Sequence, residues 1–389
     1  GGIGGLAAAL ALDKFAGIKP CVYERRNQED DFGQGTGLLL WPNGLCALKT
    51  LDVDAYEKTK AKGTRIEGME FDAFGKTNNG PGSDFYEQTY GEGVVSVGWA
   101  DVHDALLEAV RSRGIPVVYG RSCEAVDVKQ DDQVSVKFTE SPDAECFDLL
   151  VGADGINSAV RSLCFDPTPP APQGRAIFRA VVDRAALEEG SGGHPSRTTI
   201  LARNPQRLAA FMPLGPDRVY WAGTVHYDDE EALPQSGAEA KDMLLSEDYN
   251  MYPELQKAVK ATGSESIFYN RLKALHFLDS WVKGRCILMG DAAHAMVPAT
   301  GQGAGLAMED AVQLGMSLEG SMDDGLRHFE QARKPRCEMV QGMNNVGARQ
   351  AYNKDKTEER PLSQEEFSRL LYNFEPVKWK ESQATTAMG

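Results

Sequence analysis

Hydrophobic and polar residues follow two spacings along this chain, and each change of spacing marks a predicted element. Small, helix-favouring residues fill Leu6–Phe15, and after the turn Gly17–Pro20 a short β-rich run, Cys21–Tyr23, ends at Glu24. Apolar residues with helical spacing return in Val102–Ser112. The chain therefore begins with the alternation of helices and short strands that is typical of an α/β protein.

Short apolar runs after this second helix predict β-strands, with polar residues between them. The polar turn Lys129–Gln133 separates two of the runs and predicts a hairpin. The last run leads directly into Gly152–Gly155. The predicted strands are Ile115–Tyr119, Cys123–Val128, Val134–Phe138 and Phe147–Val151.

The middle of the chain changes in character at Asp166–Gln173, which contains four prolines. Strands and loops are predicted from there to about Asn270, with one helical stretch near Ala238–Leu245, and the earlier segment Gly63–Gln88 is also irregular and β-like. The strand-like runs in the middle are Ile200–Ala202, Leu208–Met212 and Arg218–Thr224.

The α/β pattern resumes after Trp281, with a strand at Cys286–Met289 and helices at about Gly303–Glu319 and Gly325–Asn345. We therefore expect the α/β fold class, with a second, β-rich domain formed by two insertions. The first domain is predicted to span 1–62, 94–165 and 276–350, the second 63–93 and 166–275, and an extended or loosely attached tail 351–389.

Composition narrows the range of functions. The 389 residues are 42% hydrophobic and 25% charged, which is ordinary for a globular protein, and no apolar run approaches the ~18 residues that would cross a bilayer. A net charge of −16 disfavours nucleic acid as a partner. A small molecule is the expected partner, and the composition leaves the oligomeric state open.

Seven scattered cysteines without a C-x-x-C pair, and six histidines without ligand spacing, predict no disulfide framework and no metal site. This cysteine usage favours a reduced, cytoplasmic protein, although an organellar address upstream of residue 1 is compatible with it. Because no strand precedes Gly1 and Gly2, we expect roughly ten or more upstream residues, in a strand ending in Gly.

Gly2, Gly5 and Glu24 have the spacing of a dinucleotide-binding fingerprint. Glycines let backbone N–H groups approach a pyrophosphate at a helix N-terminus. An acidic residue about 20 residues later, at the end of the next strand, accepts hydrogen bonds from a ribose. Because the first glycine of the fingerprint would precede residue 1, packing alone is the alternative explanation of this turn.

A second motif begins where the strand Cys286–Met289 ends. A carboxylate at a strand end can bind sugar-like hydroxyls, and glycines that open a helix expose N–H groups to an electron-rich ring. An ordinary strand–loop–helix would not need so many Gly, Asp and Pro residues. The candidates are Gly290, Asp291, Pro298, Gly301, Gln302 and Gly303.

A third motif, Asp154-Gly155, also follows a strand and precedes a helix that carries Arg161. Its alternative interpretation is local, because Asp154 or Ser158 could cap the helix.

Together and in this order, the motifs resemble the flavoprotein monooxygenases of the para-hydroxybenzoate hydroxylase superfamily, from Gly1 to about Arg336. The branch with salicylate hydroxylase, urate hydroxylase and zeaxanthin epoxidase is most similar. The resemblance implies that the first domain is a Rossmann-like FAD-binding domain of the glutathione reductase type, and that the β-rich domain binds substrate. It assigns the ADP part of FAD to Gly2, Gly5 and Glu24, FAD and NAD(P)H to Asp154 and Gly155, the ribitol to Gly290 and Asp291, and the isoalloxazine to Pro298, Gly301, Gln302 and Gly303.

The resemblance also implies an activity, in which NAD(P)H and O₂ serve to hydroxylate or epoxidise an aromatic, heteroaromatic or polyene substrate through a flavin hydroperoxide. Because the cofactor performs the chemistry, no catalytic residue is identified. His294 is expected to have a structural role near the cofactor. Candidates for substrate contact are Arg179, Phe211, Tyr220 and His226.

Two residues bear on how the cofactors bind. The family usually places an arginine that contacts FAD where this chain has Trp99. Either Trp99 stacks in its place, or a neighbouring residue supplies the cation, or FAD binding is weaker. With only one fingerprint-like turn in the chain, NAD(P)H is expected to bind transiently through exposed cations, and Arg161 is a candidate. The alternative role of Arg161 is that of a surface residue or of a salt-bridge partner to a carboxylate of the FAD-binding domain.

Other functions remain open at this point. A flavin halogenase would share the fold, but its W-x-W-x-I-P signature is absent. A flavin oxidase or reductase on the same scaffold would not transfer oxygen to a substrate. A degenerate FAD-binding protein would explain the incomplete fingerprint and the missing arginine.

Overall fold

The computed structural model describes residues 1–30, 36–129, 133–187, 193–227, 233–352 and 364–376. For residues 345–352 and 364 it describes the backbone only. Most of the predicted turn Lys129–Gln133 lies outside the described residues.

α-Helices in the described ranges confirm the predicted helical segments, the first of which continues as a π-helix at Leu12–Ala16, and include several that were not predicted. They are α1 (Ile3–Ala11), α2 (Pro42–Leu51), α3 (Val53–Lys62), α4 (Ser83–Tyr90), α5 (Trp99–Ser112), α6 (Ala159–Cys164), α7 (Gly237–Leu245), α8 (Pro253–Lys260), α9 (Asp291–His294), α10 (Gly303–Ser317), α11 (Met322–Tyr352) and α12 (Gln364–Tyr372).

Strands confirm the predicted β segments, with bounds that shift by a few residues, except that the predicted strand Phe147–Val151 is divided into Glu145–Phe147 and Leu150–Gly152, which belong to different sheets. The strands are β1 (Val22–Tyr23), β2 (Gly37–Leu40), β3 (Thr64–Arg65), β4 (Gly68–Ala73), β5 (Lys76–Gly80), β6 (Val95–Gly98), β7 (Val117–Val118), β8 (Cys123–Val128), β9 (Val134–Phe138), β10 (Glu145–Phe147), β11 (Leu150–Gly152), β12 (Ala171–Asp183), β13 (Arg197–Asn204), β14 (Arg207–Pro213), β15 (Arg218–His226), β16 (Phe268–Ala274), β17 (Val282–Lys283) and β18 (Cys286–Leu288).

The α/β part of the molecule contains parallel strand pairs, β1 with β7 and β11 with β18, covered by helices. Helix α1 packs against both α5 and α10, and its residues Leu6 and Leu10 are fully buried in this core. The contact between α1 and α10 requires small residues, because a Cβ on Gly315 would lie 2.6 Å from the carbonyl oxygen of Ala11. Close packing of α1 fixes the position of the glycine-rich turn at its N-terminus.

A seven-stranded sheet forms the second part, in the order β16-β12-β15-β14-β13-β4-β5. Its strands come from the two segments predicted for the β-rich domain. Side chains alternate between its faces: Ala176 and Phe178 of β12 are buried in the core that α7 and α8 complete, whereas Ile177 points to the opposite face and lines a large cavity. The mixed α/β fold with a β-rich part is thus confirmed, and the domain boundaries stay a prediction.

The expectation of an extended C-terminal tail is wrong for α12. Leu371 is buried, and the guanidinium of Arg336 donates a hydrogen bond to the carbonyl oxygen of Leu370. Helix α12 therefore packs on the body of the molecule. The helices of the described residues include none with the length and hydrophobicity that a membrane span requires.

Candidate active site

One cavity of about 2010 Å³ extends from the glycine-rich turn to the seven-stranded sheet. Pockets for single small molecules usually measure roughly 300–1,000 Å³. The cavity is therefore large enough for a dinucleotide together with a substrate.

Gly2 and Gly5 line the cavity at the N-terminus of α1, as predicted. No heavy atom lies within 4 Å of a Cβ built on Gly2, so there is open space in front of the first helical N–H groups. Glu24 follows β1 on the same side of the cavity, and its Oε1 accepts a hydrogen bond from the backbone N–H of Arg26 at 2.9 Å. This arrangement fits a pyrophosphate at the helix N-terminus and a ribose beside Glu24.

Asp291 is open to the cavity at the start of α9. Its carboxylate has no hydrogen-bonding partner among the described residues, and Oδ1 lies 3.9 Å from a Cβ built on Gly303. The surrounding protein raises the pKa of this carboxyl by restricting its solvation, an effect that His294 partly opposes. A carboxylate without a protein partner fits a ligand rich in hydroxyl groups, as a ribitol chain is.

Gly290 adopts a backbone conformation with φ of 57°, and its N–H donates to Oδ2 of Asp310 at 2.9 Å. Pro298, Gly301 and Gly303 line the cavity on the loop that leads into α10. Gln302 differs from this expectation, because its buried side chain faces the interior and its Oε1 accepts a hydrogen bond from Asn43 at 2.8 Å. Gln302 does not line the cavity, and its contact with a cofactor stays a prediction.

A buried ion-pair network lies behind this loop. Asp310 contacts Nε of Arg333 at 2.7 Å and Nε2 of His294 at 2.7 Å. Nη1 of Arg333 also lies 2.7 Å from Glu309. Burial would raise the pKa of Asp310, but His294 and Arg333 hold it below its ordinary value.

His294, Asp310 and Cys337 place one potential metal ligand each within 4.8 Å of one another. The guanidinium of Arg333 already neutralises Asp310, and Cys337 donates to the same carboxylate at 3.6 Å. Burial would lower the pKa of His294, but Cys337 and Asp310 raise it overall. We therefore assign this cluster a structural role, in agreement with the expectation for His294.

Asp154 and Gly155 line the cavity, and Asp154 also caps α6. Its Oδ2 accepts hydrogen bonds from the N–H groups of Ala159 and Val160 at 2.7 and 3.1 Å, and Ser158 donates to Oδ1. The structure thus shows the helix cap that was the alternative interpretation of this motif. Contact of this motif with a cofactor stays a prediction.

The expectation that Arg161 is an exposed cation is wrong, since the residue is only 2% exposed. Its guanidinium donates hydrogen bonds to the carbonyl oxygens of Ala293 and His276 at 3.2 and 3.0 Å. A helix-borne cation was predicted correctly, but the direction of its side chain depends on α9, which is distant in sequence.

Arg161→Ala is now expected to lower the free energy of unfolding by about 1.5–3 kcal/mol, because charged hydrogen bonds to buried carbonyl groups are lost. Urea unfolding followed by circular dichroism measures this change. The KM for NAD(P)H of flavin-loaded protein should stay within about twofold of wild type. A selective rise in that KM with unchanged stability would instead restore the nicotinamide role.

Arg179 and Tyr220 line the cavity on the face of the seven-stranded sheet. His226 does not line it, and its Nε2 accepts a hydrogen bond from Nε of Arg175 at 2.8 Å. Phe211 is buried in the core on the opposite face. The sheet therefore brings two of the four substrate candidates into the cavity and excludes the side chains of the other two.

Trp99 lines the cavity and stacks on His103, with ring centroids 4.9 Å apart. The sequence did not predict an aromatic cluster at the cavity wall in which Tyr372 of α12 lies 4.7 Å from Trp41 and 5.1 Å from Tyr86, between ring centroids. The apolar spacing of Phe367, Leu371 and Tyr372 in α12 was the available signal.

These features define the class of protein: a dinucleotide-binding α/β protein whose cavity continues onto a β-sheet. Residues 1–341 match the family described as "FAD binding domain". Salicylate hydroxylase of Pseudomonas putida is 32% identical over 367 residues, 88% of this chain and 82% of that protein. Aurachin C monooxygenase/isomerase of Stigmatella aurantiaca is 28% identical over 358 residues, 89% of this chain and 87% of that protein.

The structure of Klebsiella pneumoniae HpxO complexed with FAD and uric acid is similar in fold, with a TM-score of 0.78 at 24% identity over 91% of this chain and 87% of that chain. The chain belongs to the FAD binding domain family, and within it to the flavoprotein monooxygenases of the para-hydroxybenzoate hydroxylase superfamily. It is an FAD-dependent monooxygenase.

Proposed function

We propose that this monooxygenase takes electrons from NADH or NADPH and uses O₂ to hydroxylate or epoxidise a small organic molecule. The observation that carries the proposal is the continuity of the cavity, which both Asp291 and Tyr220 line. A cofactor and a substrate can therefore meet in one continuous cavity. Curated relatives with hydroxylase and monooxygenase names support the reaction class.

In this proposal FAD lies along the α/β side of the cavity. Gly2 and Gly5 bind its pyrophosphate through backbone N–H groups, and Glu24 binds the adenosine ribose. Asp291 accepts hydrogen bonds from the ribitol chain. The loop of Pro298, Gly301 and Gly303 would hold the isoalloxazine, and Asp154 and Gly155 would serve both FAD and NAD(P)H.

When bound, FAD supplies the redox and oxygen-transfer chemistry. The protein's own residues exclude water and position the substrate. Ile200 and Ala210 present apolar surface on the sheet, while Arg179 and Tyr220 supply polar contacts. The two sides of the cavity meet at β2, where a Cβ on Gly37 would lie 3.0 Å from Cγ of Tyr220.

The test uses the natural full-length protein, purified with its flavin. We expect a visible flavin spectrum, and oxidation of NADH or NADPH that accelerates with a member of a panel of phenolic acids, purines and polyenes. With ¹⁸O₂, one labelled oxygen atom should appear in the product. Hydrogen peroxide without labelled product would favour the oxidase alternative, and absence of bound flavin would favour the degenerate one.

We further propose a cytoplasmic location. All seven cysteines are free, and Cys164, Cys286 and Cys337 are buried as thiols, a pattern typical of a reducing compartment. Fractionation of the source cells, with antibody detection of the natural chain, tests this location. Recovery in an organelle or a secreted fraction would contradict it.

A further inference from the structure

The cavity-facing side of the seven-stranded sheet carries a straight row of side chains across five strands. Their pairing registers place Phe71, Ile200, Ala210, Ala222 and Arg179 beside one another, in that order. All five line the cavity. Neighbouring strands lie about 4.8 Å apart, so the row is about 19 Å long.

One end of the row is cationic. Nη2 of Arg179 donates to the neutral Oδ1 of Asn270 at 2.7 Å, and no carboxylate pairs with Arg179 among the described residues. Its buried Nε has no hydrogen-bonding partner there either. Tyr220, on the next strand, is buried, and its hydroxyl likewise has no partner in the described part of the chain. A cation with neutral partners beside a phenol hydroxyl suits an anionic oxygen.

The rest of the row is apolar and leads outward. Ala222 and Ala210 have small side chains and line the cavity between two pairs of larger residues, Met212 with Tyr220 and Leu208 with Thr224. We infer a furrow at this position, in the middle of the sheet face. At the far end Phe71 is 36% exposed, and Phe74, which also lines the cavity, is 43% exposed. An apolar ligand group that followed the furrow would reach solvent between these rings.

We propose, on the basis of the proposed function, that the substrate is an elongated aromatic carboxylate with an apolar chain. Its carboxylate binds Arg179 and Tyr220, and its chain lies over Ala222 and Ala210 toward Phe71. The ring is thereby held beside β2, where Gly37 contacts the face that carries Tyr220. A short aromatic acid would fill only one end of the furrow and would leave the rest of the furrow empty.

Three probes separate the contributions of the carboxylate and of the apolar chain to binding. They are 3-hydroxybenzoate, its ring-heptyl derivative, and the methyl ester of that derivative. Binding to the flavin-loaded protein is measured by isothermal titration calorimetry, which does not depend on turnover. We expect the heptyl acid to bind at least about tenfold tighter than 3-hydroxybenzoate, because burial of apolar surface favours binding. Esterification should weaken binding roughly 10- to 150-fold, because a charged hydrogen bond is lost.

Two variants locate these effects. Arg179→Met should abolish the preference for the acid over the ester. The control is Arg271→Met, which should keep this preference, because Arg271 lies on the neighbouring strand β16 and does not line the cavity. Ala210→Phe should weaken binding of the heptyl acid and leave that of 3-hydroxybenzoate unchanged. Flavin content and circular dichroism confirm that each variant is folded.

Equal binding of the acid and the ester by wild type, weaker binding of the longer acid, or no binding of either acid would overturn the proposal. So would an acid preference that survives in Arg179→Met. The proposed function fails separately, if the expected binding pattern is found but no probe from the wider panel gives labelled product with ¹⁸O₂.

Discussion

Asp291→Ala is expected to lower FAD affinity roughly 10- to 150-fold, which corresponds to the loss of a charged hydrogen bond worth about 1.5–3 kcal/mol. The carboxylate of Asp291 is open to the cavity and has no protein partner among the described residues. Its removal therefore changes ligand binding more than internal packing. Flavin content after gel filtration, and calorimetric titration of the apoprotein with FAD, measure the effect.

Two variants sharpen this test. Asp291→Asn keeps the shape and one acceptor oxygen, so its affinity should lie between those of wild type and Asp291→Ala. Asp279→Ala removes an exposed carboxylate outside the cavity and should keep wild-type flavin content. If Asp291→Ala also retains its flavin at the wild-type level, the ribitol contact is assigned to the wrong residue.

Asp291 and Arg161 differ in how much of their surroundings could be predicted from the sequence. The position of Asp291 at a strand end depends on local order, which the pattern of a buried strand followed by Gly-Asp reveals. Arg161 was also placed correctly on a helix. Its burial, however, results from carbonyl groups of Ala293 and His276, and contacts between segments so distant in the chain leave no local pattern.

The sheet shows the same division. Strands β13 to β15 were predictable from their β-rich runs, but the face that meets the cavity depends on which strands become neighbours. Phe211 and Ala210 are adjacent in sequence, yet only Ala210 lines the cavity, because successive side chains point to opposite faces. Helix α12 was missed because a charged segment near the end of the chain was interpreted by its composition, although its apolar residues have helical spacing.

Arg333→Met is expected to lower the free energy of unfolding by about 3–5 kcal/mol, the usual result of removing one partner from a buried ion pair. Arg333 is 2% exposed, and its guanidinium contacts Asp310 and Glu309, which are fully buried. Without Arg333, Asp310 keeps His294 and Glu309 keeps Arg336. The two buried carboxylates would nevertheless lose one of their cationic partners, and little solvent is available to replace it.

Urea unfolding of the flavin-free protein measures this loss without a contribution from cofactor binding. The matched control is Arg327→Met, which removes an exposed pair with Asp324 and should change stability by less than about 1 kcal/mol.

The pH dependence of this stability difference adds a second readout. Because the pKa of Asp310 is lowered in the folded protein, its stabilising contribution is present above about pH 4 and is lost as the pH falls through the lowered value. The difference between wild type and Arg333→Met should therefore shrink in acid. A difference that stays constant as the pH falls through the lowered pKa of Asp310 would mean that packing of the Arg333 side chain, rather than its charge, stabilises the loop behind the cavity.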